Sequence, residues 1–143
     1  MWSAEAVLVC ALALLGRSAE SFPPIQFVGV APSDVSAQAE AFVRVNDTHI
    51  YIITTGSSFQ RLQRARDRCG DLDAARKLAS MLVHEEVHAR SESDEATAYA
   101  AQLTTLSSLG AGVGSPLYGD VSRSMRHALA RPRADLLRVM IVR

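Results

Sequence analysis

The strongest constraint in this sequence is the amphipathic pattern of residues 72–90, which contains the pentapeptide HEEVH. At about 100° per residue, a helix over this segment carries one broad apolar stripe. His84 and His88 project from roughly the opposite side, only about 40° apart. The segment therefore predicts a helix, capped by Asp71, that buries one face in a core and presents two imidazoles together on another. The stripe consists of Leu72, Ala75, Leu78, Ala79, Leu82 and Val83.

Two histidines one helical turn apart can both reach a single metal ion. Zinc favours imidazole nitrogen and carboxylate oxygen, and a catalytic zinc site has three protein ligands and one open position. His84 and His88 are therefore candidate ligands of Zn²⁺. Glu85 leans toward the same ion and is the candidate catalytic residue, a base that activates metal-bound water and then an acid that protonates a leaving amine.

The third ligand is predicted in the helix that follows, where Glu92, Asp94 and Glu95 are available. Glu95 is the first choice because it lies far enough into that helix to have a fixed position. Asp94 is the second choice, although Asp94 and Glu92 also suit the cap of the helix. A short turn at residues 89–93 would bring the second helix back beside the first.

HEEVH together with the following DEATAYAAQL resembles the active-site region of gluzincin-type zinc metallopeptidases. The similarity is greatest to the very small ones, the minigluzincins and the phage-repressor-cleaving immunity peptidases. It implies zinc on His84, His88 and Glu95 and a substrate peptide that adds to an edge strand near residues 48–54. There are two departures: the six residues between His88 and Glu95 make a short connection, and Thr97 stands where Asn is common in the immunity peptidases.

The remaining segments predict a small α+β domain. We expect a strand at residues 25–30, a hairpin with strands at 42–45 and 50–53, and a helix from Ser57 or Ser58 to Gly70. A helix capped by Ser91 or Ser93 and ending near Gly110 follows, and then a last helix before Pro132. The apolar tail 134–143 continues that helix or forms a final strand, and Met140, Ile141 and Val142 are expected in the core. With the resemblance, this predicts a zincin-like domain over residues 22–143, in which a short antiparallel or mixed sheet packs on the active-site helix beside a second, ligand-bearing helix.

Residues 1–21 are typical of a signal peptide. The apolar run Ala6–Leu15 has the length of a signal-peptide core, is too short for an ordinary membrane span, and is followed by small residues. Glu5 and the lack of Lys or Arg before the run disagree, and a buried N-terminal helix is the alternative. Removal of the segment predicts a periplasmic or extracellular protein without a stable membrane anchor. Cys69 would then be the only cysteine, a packing residue without a disulfide.

Fifteen basic and fifteen acidic residues give no net charge, so nothing indicates a nucleic-acid surface. The predicted partner is a peptide or protein substrate, whose oxyanion Tyr99, Tyr118 or His127 could stabilise. Glu86 falls on the apolar side and is expected to pair with an arginine or to lie at the partly exposed helix end. Two alternatives to the peptidase stay open: a non-catalytic, metal-stabilised binding domain that keeps the HExxH helix, and a helical interaction protein without metal.

Overall fold

The computed structural model describes residues 1–44, 47–91 and 93–130. In that part of the chain, five α-helices and three short strands form a small α+β domain, which confirms the predicted class and the mixed sheet. The helices are α1 (Ala4–Leu15), α2 (Ser57–Gln63), α3 (Leu72–Ser91), α4 (Glu95–Ser108) and α5 (Pro116–Leu129), and a short 3-10 helix spans Ala19–Ser21. The strands are β1 (Ile25–Val28), β2 (Ala41–Val43) and β3 (Ile50–Ile53).

β3 lies in the centre of the sheet, whose strand order is β1-β3-β2. It pairs in parallel with β1, with Ile25 opposite Ile50, and antiparallel with β2, with Phe42 opposite Tyr51. The predicted hairpin is confirmed. The expectation that residues 48–54 form an edge strand is wrong, because both sides of β3 are already paired. Of the two edge strands, β2 is the one that packs against α3.

α3 is the central helix of the domain. It packs against α1, α2 and the sheet, and also against α4. The predicted stripe is confirmed at Ala75, Leu78, Ala79 and Leu82, which are at most 2% exposed, whereas Leu72 at the start of the helix is 47% exposed. The predicted cap is also present, because the Asp71 carboxylate accepts a hydrogen bond of 3.1 Å from the Ala74 N–H.

The N-terminal helix α1 is part of the main core. Val7 and Ala11 are at most 1% exposed, and a disulfide joins Cys10 to Cys69. The expectation of an unpaired Cys69 is therefore wrong, because it assumed that residues 1–21 are absent. The structure contains the alternative, a buried N-terminal helix, while removal of the segment stays a prediction.

A second connection holds the end of α1 on the end of α3. The Arg17 guanidinium donates two hydrogen bonds to the Glu86 carboxylate, of 2.8 and 2.7 Å. Arg90 also pairs with Glu86 and donates to the Ser21 carbonyl. The prediction that Glu86 pairs with an arginine is confirmed.

α2 ends at Gln63, well before Gly70, so its predicted length is wrong. Phe59 and Leu62 bury its apolar side, but residues 64–68 supply three arginines and no large apolar side chain that would hold a further turn on the core. The chain instead turns through Cys69, whose φ of 60° directs it into α3.

α4 and α5 enclose a second, smaller core formed by Leu103, Leu106, Ala111, Leu117 and Val121. The helix predicted after Gly110 is confirmed as α5, and the tail 134–143 lies outside the described residues. No helix in the described part is both long enough and apolar enough to cross a membrane.

Candidate metal centre

The last turns of α3 and the first residue of α4 bring three potential ligand side chains together. His84, His88 and Glu95 each offer a ligand atom, and these atoms lie within 4.8 Å of one another. Glu95 Oε1 is 3.2 Å from His84 Nε2 and also hydrogen-bonds to His88 Nε2. The structure therefore contains a group that could bind a metal ion, and its members are the three residues predicted from the sequence.

Asp94 takes the role of the helix cap instead of that of a ligand. Its carboxylate accepts a hydrogen bond of 2.8 Å from the Thr97 N–H, as an N-cap does. The cap fixes the first turn of α4 and thereby the direction of the Glu95 side chain. The short connection after His88 thus suffices to return the chain to the two imidazoles.

Each imidazole has a partner on its other nitrogen. His88 Nδ1 lies 3.1 Å from the Ser93 carbonyl oxygen, which can only accept a hydrogen bond. His84 Nδ1 lies 2.9 Å from Gln102 Oε1. Histidine ligands of metal ions commonly donate their second N–H to such an oxygen, which fixes the ring and leaves the other nitrogen for the metal.

This pattern requires a cation or an additional proton at the centre of the group. With Nδ1–H directed at an oxygen in both rings, each Nε2 is a lone pair unless the ring is an imidazolium. Two such nitrogens and the Glu95 carboxylate converge, and all three are acceptors. A metal ion, or a proton on a ring, satisfies them together.

The electrostatics of the metal-free group agree with this requirement. Hydrogen bonds from His84 and His88 lower the pKa of Glu95 well below its ordinary value. The hydrogen bond to Glu95 in turn raises the pKa of His88. The site thus favours positive charge beside a carboxylate that stays ionised, as a cation site must.

Exposure increases across the group, from the buried His84 through the half-buried His88 to the exposed Glu95. The buried end is anchored by α3 and α4, and the other end is accessible to solvent.

Glu85 is half-buried beside the group and makes no hydrogen bond or ion pair with any residue in the described part of the chain. Burial raises the pKa of its carboxyl group, and the nearby His84 and His88 oppose that rise. A partly desolvated carboxylate with unused acceptor oxygens is suited to take up a proton.

Of the three candidates for an oxyanion donor, the structure brings only Tyr99 to the group. The edge-to-face contact between its ring and that of His84 has a centroid distance of 4.6 Å. Tyr118 packs on the second core, and His127 is exposed on α5.

Gln102 and Ser80 are site residues that the sequence analysis missed. Gln102 lies seven residues after Glu95, about 20° from the same line on α4, and Ser80 lies one turn before His84 on α3. That periodicity was available as a signal, but only the packing of α4 on α3 shows that these faces meet.

Two surface depressions lie away from the metal-binding group, one beside α2 and the start of α3 and one beside β2. Neither contains a predicted site residue. In comparisons with known proteins, no family model, no curated protein and no solved structure matches this chain.

Proposed function

We propose that this protein is a small zinc-dependent peptidase with a zincin-like arrangement of its active-site helices. The observation that carries the proposal is the convergence of His84 Nε2, His88 Nε2 and Glu95 Oε1 within 4.8 Å, with both Nδ1 atoms held by oxygens. Two imidazoles and one carboxylate are a common ligand set of catalytic zinc. Zinc bound there would polarise a scissile carbonyl and make water acidic enough to lose a proton near neutral pH.

The protein's own contribution to hydrolysis would come mainly from Glu85. Its carboxylate has no competing hydrogen bond in the described part of the chain, and its burial raises its affinity for a proton. Glu85 would accept a proton from the attacking water and return it to the leaving amine. The edge contact of Tyr99 on His84 makes Tyr99 the best placed of the three candidates to stand near the substrate oxygen.

The substrate would be a peptide that pairs with the outer edge of β2. In the described sheet β2 has a neighbour on one side only. Because the Ile53 N–H donates to the Glu40 carbonyl, the alternation of an antiparallel ladder directs the backbone groups of Ala41 and Val43 away from β3. An extended peptide could bind those groups as an added strand.

The Cys10–Cys69 disulfide supports a location in an oxidising compartment, since such bonds persist there and are rare in the cytosol. This agrees with the predicted export. It favours export with residues 1–21 retained, because their removal would eliminate Cys10.

The test combines zinc content with cleavage of a peptide library. The full chain should bind about one zinc per molecule, as a three-ligand site predicts. Glu85→Gln should retain zinc and lose activity, because the amide cannot take the proton. Glu86→Gln is the matched control, since Glu86 faces Arg17 and should leave activity in place.

Failure to bind zinc would remove the hydrolase proposal. A protein that binds zinc, cleaves nothing, and binds a partner equally well with Glu85→Gln would instead be the non-catalytic, metal-stabilised binding domain.

A further inference from the structure

Gln102 is a buried polar residue of α4 and is 4% exposed. It lies between His84 of the metal-binding group and Ser80, one turn earlier on α3. Its side-chain oxygen lies 2.9 Å from His84 Nδ1, and its amide nitrogen donates to Ser80 Oγ at 3.2 Å. The Ser80 hydroxyl donates to the Lys77 carbonyl at 2.8 Å. These contacts form a continuous chain from His84 to the backbone of α3.

The direction of hydrogen bonding in this chain follows from its last member. The Lys77 carbonyl can only accept, so the Ser80 proton is committed to it and Ser80 Oγ is left to accept. The Gln102 NH₂ group therefore faces Ser80, and its carbonyl oxygen faces His84. His84 must then donate from Nδ1, which leaves Nε2 to bind a metal ion or, in the metal-free protein, to carry the proton that it donates to Glu95.

We propose that Gln102, supported by Ser80, is a positioning residue for the metal centre that holds His84 in its metal-binding tautomer and orientation. His88 has the same arrangement, but its partner is the backbone carbonyl of Ser93, which no side-chain substitution removes. The positioning of His84 is therefore the part of the site that mutation can test. The inference rests on the metal-binding part of the proposed function.

The first measurement is zinc affinity by competition with a chromophoric chelator, using Gln102→Met and Gln102→Glu. Methionine fills a similar volume without accepting from Nδ1, and loss of such an outer partner weakens metal binding by about 10- to 100-fold. Glutamate accepts from Nδ1 as glutamine does but cannot donate to Ser80 Oγ, so it should bind zinc more tightly than Gln102→Met and more weakly than the original protein. Unchanged affinity in Gln102→Met, or no recovery in a folded Gln102→Glu, would overturn the proposal.

A second pair of variants serves if Gln102→Met does not fold. Ser80→Ala removes the acceptor of the Gln102 NH₂ group and should also weaken zinc binding. Ser58→Ala is the matched control, a buried serine on α2 whose side chain has no role in the site. Equal zinc affinity in these two variants would contradict the proposed hydrogen-bond chain from Ser80 through Gln102 to His84.

The tautomer of His84 gives a readout that does not need bound zinc. In the metal-free protein, the ¹⁵N shifts of His84 should show a proton on Nδ1, whether or not Nε2 is also protonated. Gln102→Met should change the fraction of His84 rings protonated on Nδ1, while His88 should be unaffected. An unprotonated Nδ1 on His84 in the original protein would overturn the proposed hydrogen-bond chain from Ser80 through Gln102 to His84, even if zinc binds. An Nδ1 proton in a protein that binds no zinc would confirm the hydrogen-bond chain, but it would contradict both the hydrolase and the metal-positioning role of Gln102.

Discussion

The N-terminal body, residues 1–91, and the C-terminal helical pair, α4 and α5, are stabilised in different ways. The body has a continuous apolar core shared by α1, α2, α3 and the sheet, and a disulfide and the Arg17–Glu86 ion pair hold α1 on α3. The helical pair has only a small core of its own. Its apolar core is separate from that of the body, and its contacts with α3 include polar ones, those of Glu95 and Gln102 with the two histidines.

This difference shows why the metal-binding group lies where it does. α3 belongs to both regions: its apolar stripe completes the body, and its His84 and His88 face α4. An interface built from polar groups is stable only when each group is satisfied. A bound cation would complete that interface, so metal binding and the docking of α4 should be coupled.

The largest expected effect tests the body. Removal of residues 1–21 should prevent folding, because a fully buried Val or Leu contributes about 1.5–3 kcal/mol and α1 buries Val7, Leu8 and Leu12. Total stabilities of domains are only about 5–15 kcal/mol. Circular dichroism and urea unfolding of residues 22–143 against the full chain measure this directly.

The double variant Cys10→Ala, Cys69→Ala is the milder control. The cysteines are 59 residues apart, and closing a loop of that size corresponds to about 4 kcal/mol in the chain-entropy description. This variant should fold with reduced stability. Cooperative unfolding of 22–143 at the original urea midpoint would show that α1 is dispensable and would agree with a removable signal peptide.

The next effect tests the helical pair. Zinc at 100 times its dissociation constant should stabilise the protein by about 2.7 kcal/mol. Amide hydrogen exchange should slow most in α4 and in the last turns of α3, and least in α1. The reason is that bound zinc would join α3 to α4 through His84, His88 and Glu95 and would leave the apolar core of the body unchanged. His88→Ala is the control in which zinc should have no effect. Equal slowing in α1 and α4 would show that the two regions unfold as one unit, and it would contradict the claim that they are stabilised in different ways.

The sequence predicted the two regions unequally well. α3 and the start of α4 could be predicted because their signals are local. These signals are the apolar stripe and the Asp71 cap of α3, and Glu95 in the first turn of α4. The role of α1 could not be placed, because a short apolar run looks the same in a signal peptide and in a buried helix. The packing of α1 and its disulfide from Cys10 to Cys69 are tertiary contacts, which no pattern within residues 1–21 contains.

The site shows the same limit. His84, His88 and Glu95 could be named from spacing within each helix. The partner of His84 depends on the register between α3 and α4, which no single-helix pattern contains. Gln102 was therefore missed although it lies on the same face as Glu95.

The smallest expected effect concerns a polar contact on the surface of the body, where solvent weakens charge interactions. The Asp47 carboxylate accepts a hydrogen bond of 2.5 Å from the Tyr51 hydroxyl and one of 2.9 Å from the His49 N–H. These bonds lower the pKa of Asp47 from 3.8 to about 2. Because the folded pKa is lower than the unfolded one, the contribution of Asp47 is complete above pH 3.8 and is lost as the pH falls toward 2.

Asp47→Asn should therefore be slightly less stable than the original protein at pH 6, and the difference should shrink as the pH falls below 3.8. Urea unfolding of both proteins across that range measures the difference. Asp34→Asn is a useful control, because Asp34 pairs with the exposed Arg44 and has a smaller expected effect. A difference for Asp47→Asn that grows in acid would have the wrong sign. It would mean that the folded protein stabilises the protonated form of Asp47. The surface polar contacts of the body would then not be minor contributors to stability, and they would not differ from the polar contacts between α3 and α4 in the way described above.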